Sequence, residues 1–384
     1  MNKIVYLDNA ATTSLDPVVL DAMLPFLKEH YGNPSSSYSI GRQSKTAIEA
    51  SRKKVADLLG VNSTSIYFTS GGTESNNTAI ATAVKTLGCT HIITSPIEHH
   101  AVLNTVDHYC LDKGVGCSYV KLNAFGEVDY ADLQAQLESK TNAGVKCLVS
   151  LMHANNEIGT LLDLKLTGEI CSRYGAIFHS DCVQTIGHYP LQLGEYGIHF
   201  ASASGHKFHG PKGTGILYVS AGTKVTPLIH GGGQERKVRA GTENVHGMIG
   251  FAKALELANE NYLADQIYIS HLNKTMREGL LQLSPEISFN NNENALYTVL
   301  SVNFPGSMDT DLLLAMLDQT GICASGGSAC SSGDDHGSHV MTALGKKHTG
   351  ATLRFSFSKQ TRTEDIEIAL NTLAGILKYP LPVA

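Results

Sequence analysis

Lys207 lies in an unusual setting for a lysine. It belongs to residues 202–211, SASGHKFHGP, where small, polar and glycine residues follow a short apolar stretch. A lysine attacks an aldehyde only when its amine is neutral, which requires partial removal from water or nearby cations. Because a lysine that is simply solvated rarely has such neighbours, the sequence indicates a reactive Lys207. An ordinary surface lysine is the alternative.

An acidic and an amide residue follow another apolar stretch. Asp181 and Gln184 come just after residues 176–179, which read as a strand. Because α/β sheets bind ligands at the carboxyl ends of parallel strands, we expect Asp181 near a ligand. A buried carboxylate there needs a cationic partner such as a pyridinium nitrogen, and Gln184 could contact a phenolic oxygen on the same ring. A helix N-cap is the alternative role for Asp181.

A glycine-rich turn joins a strand to a helix at residues 69–77, TSGGTESNN. Free N–H groups at a helix start favour a phosphate, and the backbone at Gly72 could approach one closely. Thr73 would add a hydroxyl, with Ser204 and His206 as further candidates from the lysine motif. The turn matches neither the P-loop nor the dinucleotide fingerprint, so nucleotide cofactors are disfavoured.

Histidines are frequent, seventeen in all. His99 follows a strand, where its ring could lie on the face of an aromatic cofactor and relay protons. A metal site is the weaker hypothesis. The pairs His99 and His100, and His206 and His209, could be ligands, but the chain has no HExxH motif and no Cys/His quartet at zinc spacing.

Cys330 differs from the other seven cysteines, which are expected to be reduced, mostly buried thiols. It lies in residues 326–333, GGSACSSG, with glycines on both sides. Such a composition predicts a mobile segment, and a catalytic thiol must be exposed and partly ionised. His336 and His339 are close in sequence and could assist ionisation. The alternative is a loop residue of no consequence.

Arg354 lies in residues 352–357, TLRFSF, which alternate in the manner of a strand. A guanidinium among apolar residues needs an anion, and the α-carboxylate of an amino acid matches its fork. A structural salt bridge explains Arg354 equally well.

The pattern of elements predicts how these residues are positioned. The apolar stretches that read as strands of a parallel sheet are residues 65–69, 91–94, 146–152, 176–179 and 215–219. Helical patterns separate them, so both faces of the sheet should be covered. A long helical pattern over residues 245–283 is a plausible spine between domains. We predict an α/β protein with a large, mainly parallel sheet domain over residues 15–258 and a smaller α+β domain formed by residues 1–14 and 259–384.

Composition excludes several function classes. The net charge of −6 and the scattered Lys and Arg residues do not suit a nucleic-acid binder. The start, MNKIVYLDNAATT, lacks the apolar core of a signal peptide, and no later run could span a bilayer. We therefore expect a soluble cytoplasmic protein without membrane or nucleic-acid partners.

Taken together, these segments resemble the cysteine desulfurases, in the class V branch of the fold type I pyridoxal-phosphate (PLP) enzymes. Four further motifs carry the resemblance: YLDNAATT at residues 6–13, GNPSS at 32–36, MHANNEIG at 152–159 and RAGTEN at 239–244. The segment ASGGSAC at residues 324–330 is more discriminating, because other class V members lack its cysteine. The similarity extends over nearly the whole chain.

The resemblance implies a role for each candidate residue. Lys207 would hold PLP covalently and move protons, Asp181 would bind the pyridine nitrogen, and His99 would stack on the ring. The remaining cofactor contacts would be Gln184 at the phenolic oxygen, Gly72, Thr73, Ser204 and His206 at the phosphate, and Thr242 from the other subunit of a homodimer. Asn155, among the cofactor contacts, and Arg354 would bind the substrate carboxylate.

The resemblance also implies the reaction. Cys330 would take sulfur from L-cysteine, leaving L-alanine and an enzyme persulfide, and pass it to an acceptor such as an iron–sulfur scaffold. Two positions depart from the family pattern, because His100 stands where lysine is frequent and Cys182 where a small residue is usual. Cys182 is interpreted as a packing residue. A selenocysteine lyase or aminotransferase of the same fold is the main alternative, followed by a sulfur carrier without catalysis and by a metal-dependent hydrolase.

Overall fold

A seven-stranded sheet is the centre of the protein. The computed structural model describes residues 4–306, 308–327, 338–346 and 350–378. The strands are β1 (Val5–Tyr6), β2 (Ile66–Thr69), β3 (His91–Thr94), β4 (Gly116–Tyr119), β5 (Cys147–Ser150), β6 (Ile177–Asp181), β7 (Phe200–Ser204), β8 (Gly215–Val219), β9 (Ser288–Phe289), β10 (Val299–Asn303), β11 (Ile322–Cys323) and β12 (Thr352–Ser356). The α-helices are α1 (Pro17–Lys28), α2 (Ser39–Leu58), α3 (Gly72–Lys85), α4 (His100–Lys113), α5 (Tyr130–Asn142), α6 (Leu164–Arg173), α7 (Val245–Leu283), α8 (Thr310–Gln319), α9 (His339–Ala343) and α10 (Thr363–Lys378).

The sheet has the order β2-β8-β7-β6-β5-β3-β4. Strands β3 to β7 pair in parallel, whereas β8 runs antiparallel to both of its neighbours. Every residue of β3, β5, β6, β7 and β8 is buried. A strand that is covered on both faces is usually apolar along its length, as β8 is, although β6 and β7 also bury polar residues such as Asp181 and Ser204. The predicted α/β class with a mainly parallel sheet is confirmed.

Helix α7 connects two hydrophobic cores. It spans 39 residues with the predicted bounds. Near its start, Phe251 and Leu255 pack into the core of the large sheet. Near its end, Leu272 and Met276 pack into a second core, beside the antiparallel sheet β12-β10-β9. Two separate cores joined by one helix support the predicted division at residue 258, which stays a prediction.

The N-terminal segment belongs to the second core. Strand β1 pairs in parallel with β11, and Val5 and Leu7 are buried with the C-terminal apolar residues. The backbone N–H of Ala10 donates to Oγ of Ser356 at 2.8 Å. These contacts carry the following residues across the edge of the large sheet, where they reach the candidate site.

No helix in the described ranges is both long and apolar enough to span a lipid bilayer.

Candidate active site

A cavity of about 230 Å³ opens beyond the carboxyl ends of β6 and β7. Asp181 is the last residue of β6 and Ser204 the last of β7, so the cavity lies where α/β sheets bind ligands. The residues that line the cavity are Ala10, Ala11, Gly72, Thr73, Asn76, His99, Ala101, Met152, Asn156, Asp181, Val183, Gln184, Ser204, His206, Lys207 and Arg354. Nine residues singled out from the sequence are therefore brought together in one place.

Lys207 ends a single 3₁₀ turn that follows β7. Its Nζ donates to the carbonyl oxygens of Ala10 at 2.7 Å and Ala11 at 2.9 Å. The turn is fastened to the same N-terminal segment, because Oγ1 of Thr13 donates to the carbonyl oxygen of His206 at 2.9 Å. The lysine amine is therefore held at the cavity wall by backbone carbonyl groups that lie 197 and 196 residues earlier in the sequence.

Asp181 is buried, with 6 % of its surface exposed. Its Oδ2 accepts from Nδ2 of Asn76 at 2.6 Å, and its Oδ1 accepts from the N–H of Val183 at 2.9 Å. Residues 182–185 form a turn rather than a helix, so the proposed N-cap alternative does not apply. Gln184 donates from Nε2 to the carbonyl oxygen of Ala10 at 3.0 Å. The carboxylate is fixed in direction, and Gln184 shares an acceptor with Lys207.

His99 caps helix α4. Its Nδ1 accepts from the N–H of Ala101 at 3.0 Å, so a neutral ring carries its proton on Nε2. Burial lowers the pKa of His99, although the charge of Asp181 opposes this effect. The neutral ring that results is suited to stacking against an aromatic ligand and to donating one hydrogen bond.

The start of helix α3 is shaped for an anion. Gly71 has φ +152°, a conformation that side chains rarely adopt, and Gly72 opens the helix. A Cβ atom on Gly71 would lie 3.5 Å from Oγ of Ser204, so the turn closely approaches the end of β7. Burial lowers the pKa of His206 to about 4, with smaller effects from Lys207 and Lys212. A neutral His206 can offer a hydrogen bond but no charge.

Arg354 forms a structural salt bridge and also lines the cavity. Its Nη2 pairs with Oδ1 of Asp8 at 2.7 Å, and its Nη1 donates to the carbonyl oxygen of Asn156 at 2.9 Å. It also lines the cavity, and its Nε is buried without a partner among the described residues. The structural salt bridge therefore exists, yet one donor is left over for a ligand.

Asn155 does not line the cavity. Its Nδ2 donates to the carbonyl oxygen of Ile97, and its Oδ1 accepts from the N–H groups of Glu157 and Ile158. The side chain therefore shapes its own turn, and the neighbouring Asn156 lines the cavity instead. A direct role for Asn155 at the substrate stays a prediction.

Thr242 is exposed and does not line the cavity of its own chain. Cys330 and its predicted mobility lie outside the described residues, as does His336. The chain before that segment is described, because Ser325 forms a bridge with Arg354 in which the N–H of Arg354 donates to the Ser325 carbonyl oxygen at 2.6 Å. The segment that carries Cys330 therefore begins beside the cavity.

Other predictions concerned cysteine and metal. Cys182 is fully buried, and burial raises the pKa of its thiol to about 12, as expected of a packing residue. Cys117 is an exception to the expectation of buried thiols, because it is exposed on the edge strand β4. Within the part of the chain that the structure describes, no group of three or more His, Cys, Asp or Glu side chains could hold a metal ion.

Sequence reasoning missed three contributors. The carbonyl groups of Ala10 and Ala11 carry no side-chain signal, since any residue supplies them. Asn76 lies inside the quoted TSGGTESNN motif, and an asparagine at an interior helical position is a detectable signal because this residue type favours caps and turns. Asp8 could have been noted as a possible anion for Arg354.

Comparisons with known proteins agree with the site. The aminotransferase class-V family model matches residues 5–368. The chain is 43% identical to the cysteine desulfurase IscS of Methanosarcina thermophila, over 98% of this chain and 93% of that protein. A solved NifS-like protein superposes with a TM-score of 0.89 at 36% identity, over 98% of this chain and all of that one. A structure of SspA in complex with cysteine gives 0.78 at 32% identity, over 92% and 98%.

The chain therefore belongs to the class V aminotransferase family, and it is a PLP-dependent enzyme. Within that family it groups with the cysteine desulfurases.

The residues of the cavity fit PLP. Asp181 would offer the ring nitrogen a carboxylate held by two hydrogen bonds, and Lys207 would offer the aldehyde an amine. The turn at Gly71 and Gly72 would receive the phosphate. Oδ1 of Asn76 and Nε of Arg354 are buried polar atoms without partners in the described ranges, as expected where a polar ligand completes the site.

Proposed function

We propose that the protein is a cysteine desulfurase that converts L-cysteine to L-alanine and carries the released sulfur as a persulfide on Cys330. The observation that carries this proposal is the single cavity lined by Lys207, Asp181 and Arg354. An amine for an aldehyde, a carboxylate for a pyridine nitrogen and a guanidinium for a carboxylate are what a PLP enzyme acting on an amino acid needs. The relatives' names support cysteine as that amino acid.

Bound PLP supplies an electron sink for the bonds around the substrate Cα. Asp181 would bind the ring nitrogen, and its two hydrogen-bonded oxygens keep the carboxylate in place. His99 would lie against the ring as a neutral imidazole. Lys207 would bind the cofactor and take and return protons at Nζ. Gly72, Thr73, Ser204 and His206 would hold the phosphate, and Gln184 would contact the phenolic oxygen.

Arg354 binds the substrate carboxylate. Its Nη2 and Nη1 are engaged by Asp8 and the carbonyl group of Asn156, so the guanidinium plane is fixed before substrate arrives. The unpartnered Nε, with the adjacent edge of the guanidinium, then offers N–H groups for a carboxylate. Asn155 is proposed as a second contact through the turn that it shapes.

Cys330 receives the sulfur. Its thiolate attacks Sγ of the substrate, a sulfur–sulfur bond forms, and the bond between Sγ and Cβ breaks. The electron pair of that bond goes to the carbon side and is taken up with a proton, which gives alanine. The enzyme keeps one additional sulfur atom. An unperturbed thiol of pKa about 8.5 is only partly ionised at neutral pH, so an imidazole such as that of His339, which is close in sequence, would assist.

The assembly and the sulfur acceptor are further parts of the proposal. We infer a homodimer in which Thr242 reaches the phosphate site of the partner subunit, because this exposed residue does not line its own cavity. The sulfur then passes to an acceptor protein such as an iron–sulfur scaffold. The cytoplasm is the proposed location.

The experiment is incubation of the purified protein with L-cysteine, followed by measurement of alanine and of protein mass. We expect stoichiometric alanine and a gain of one sulfur atom on Cys330. The Cys330→Ala variant should keep the visible cofactor band and lose alanine formation. The Lys207→Ala variant should lose the band itself.

Cys117→Ala is the matched control, because Cys117 is an exposed thiol remote from the cavity. It should behave as the wild type. Unchanged alanine formation in Cys330→Ala would overturn the persulfide step. If that variant lost activity with cysteine but kept it with selenocysteine, selenium would be a side activity of the same site.

A further inference from the structure

Asn76 is a buried amide inside helix α3, with 1 % of its surface exposed. Asparagine is a weak helix former, because its side chain competes for backbone groups. At this position the side chain makes no such local bond; Nδ2 donates to Oδ2 of Asp181 at 2.6 Å, across 105 residues of sequence. The residue type is therefore explained by its contact with Asp181 and not by the helix.

Two elements hold the Asp181 carboxylate. Helix α3 supplies the amide of Asn76, and the turn after β6 supplies the N–H of Val183. Because hydrogen bonds are directional, two donors on its two oxygens fix the orientation of the carboxylate. An amide donor at Asn76 also has no proton to lose, so its contribution does not vary with pH.

Few charged groups around Asp181 could hold its carboxylate in the same way. The titratable groups that face it are Glu98 and His99 from the loop after β3, His179 and Cys182 from β6 and the turn that follows, and Lys207 from the turn after β7. His179 and Cys182 are fully buried. Burial lowers the pKa of His179 to about 4 and raises the pKa of Cys182 to about 12, which favours the neutral form of both groups. The fully buried Glu98 adds an anion whenever it ionises.

We propose that Asn76 is a positioning residue that keeps the Asp181 carboxylate aimed at the pyridine nitrogen of PLP. This inference rests on the proposed function of the cavity. The second atom of the same amide supports it, because Oδ1 of Asn76 is buried and without a partner in the described ranges, at the wall of the cavity. An amide that only packed in the helix would not leave a buried oxygen unsatisfied.

The test is a double-mutant cycle with cofactor affinity as the readout. Asn76→Leu keeps the approximate size of the side chain and removes the donor. We expect the affinity of the apoprotein for PLP to fall on the order of tenfold, as for a lost hydrogen bond to a charged group. In an Asp181→Asn background the same substitution should change the affinity less than about twofold, because Asn76 acts through Asp181.

A second readout is the pH titration of the visible cofactor band. In Asn76→Leu the pH midpoint of the band should rise. A less positively charged ring would favour the protonated form of the Lys207 nitrogen that is joined to the cofactor, so this nitrogen would lose its proton only at higher pH. Asn77→Leu is the matched control, since Asn77 is the next residue of the helix and its side chain bonds, among the described residues, to the carbonyl oxygen of Thr73 and not to Asp181. It should leave the midpoint and the affinity unchanged.

The outcomes separate the two hypotheses. Equal losses of affinity in both backgrounds would assign Asn76 a purely structural role and overturn the inference. So would a wild-type affinity and midpoint in Asn76→Leu. A wild-type protein that forms no cofactor band at all would instead refute the proposed function of the cavity.

Discussion

Glu98 is a buried carboxyl group, with 1 % of its surface exposed, next to the candidate-site residue His99 in the sequence. Its Oε1 accepts from the N–H of Met152 at 2.9 Å and from Oγ of Ser95 at 3.0 Å, which ties together the segments that follow β3 and β5. Burial, and to a lesser degree the charge of Asp181, raises its pKa to about 8. Glu98 is therefore a neutral acid over most of the physiological range.

This protonation predicts a pH effect on stability. The folded protein holds a proton on Glu98 that the unfolded chain releases above pH 4.5, so stability falls as pH rises from about 4.5 to about 8. Glu98→Gln mimics the neutral acid and removes this loss. We expect the variant to gain about 3–4 kcal/mol relative to wild type between pH 5 and pH 8, measured by urea unfolding. Parallel stability curves for the two proteins would contradict the assignment.

At the scale of single residues, the sequence predicted side chains with a distinct chemistry and an informative neighbourhood. Asp181 ends a strand, Lys207 and His99 each follow one, and strand ends converge in a parallel sheet. Backbone acceptors could not be predicted, because the carbonyl groups of Ala10 and Ala11 lie nearly 200 residues from Lys207. Only the folded chain shows that pairing.

The element that precedes Thr242 depends on a buried ion pair. Arg52 of α2 donates to both oxygens of Glu235, at 2.6 and 2.8 Å, and the N–H of Phe68 donates to the same carboxylate. Glu235 itself has φ +43°, a strained conformation for a residue with a side chain. The ion pair thus secures a 3₁₀ turn, Gln234–Lys237, against helix α2 and strand β2.

Loss of one partner should be costly. Arg52→Met leaves the Glu235 carboxylate buried and unpaired, and we expect a loss of about 3–5 kcal/mol in the free energy of unfolding. Lys53→Met, at the next position of the same helix, removes only an exposed pair with Asp57 and should change stability little. Denaturant unfolding of both variants is the measurement. Equal stabilities would mean that the turn is held by other contacts.

At the scale of elements, the apolar pattern predicted which segments form helices and strands better than it predicted the direction of the strands. The bounds of α7 were predicted, because the helical pattern extends over its whole length. The reversal of β8 was not, since a fully buried strand is apolar in either direction. Strand β4 was missed because its residues alternate between partial and full exposure and contain little apolar sequence.

At the scale of the whole molecule, burial has its largest effect on five histidines among the described residues. The pKa falls to about 4 for His153, His179, His188, His206 and His209. Between pH 6.5 and about 4 the unfolded chain binds protons that the folded protein excludes. Stability is therefore lost as pH falls through this window, in the opposite sense to the effect of Glu98.

We expect the free energy of unfolding to decrease steeply from pH 7 to pH 5, because five groups outweigh one. His188→Gln should reduce that slope by about 1.4 kcal/mol per pH unit, the contribution of one proton. The measurement is urea unfolding at several pH values. A stability that does not change between pH 7 and pH 5 would show that these rings are protonated in the folded protein.

The fastening of the N-terminal segment has a consequence for synthesis on the ribosome. The N–H of Ala10 bonds to Ser356, 346 residues later, and the adjoining carbonyl groups of Ala10 and Ala11 hold the amine of Lys207. At about 5–20 residues per second, roughly 20 to 70 s pass between translation of the two partners. During that interval the nascent chain can build the large sheet but not the finished wall around Lys207. Full cofactor capture thus has to wait until Ser356 has been synthesised.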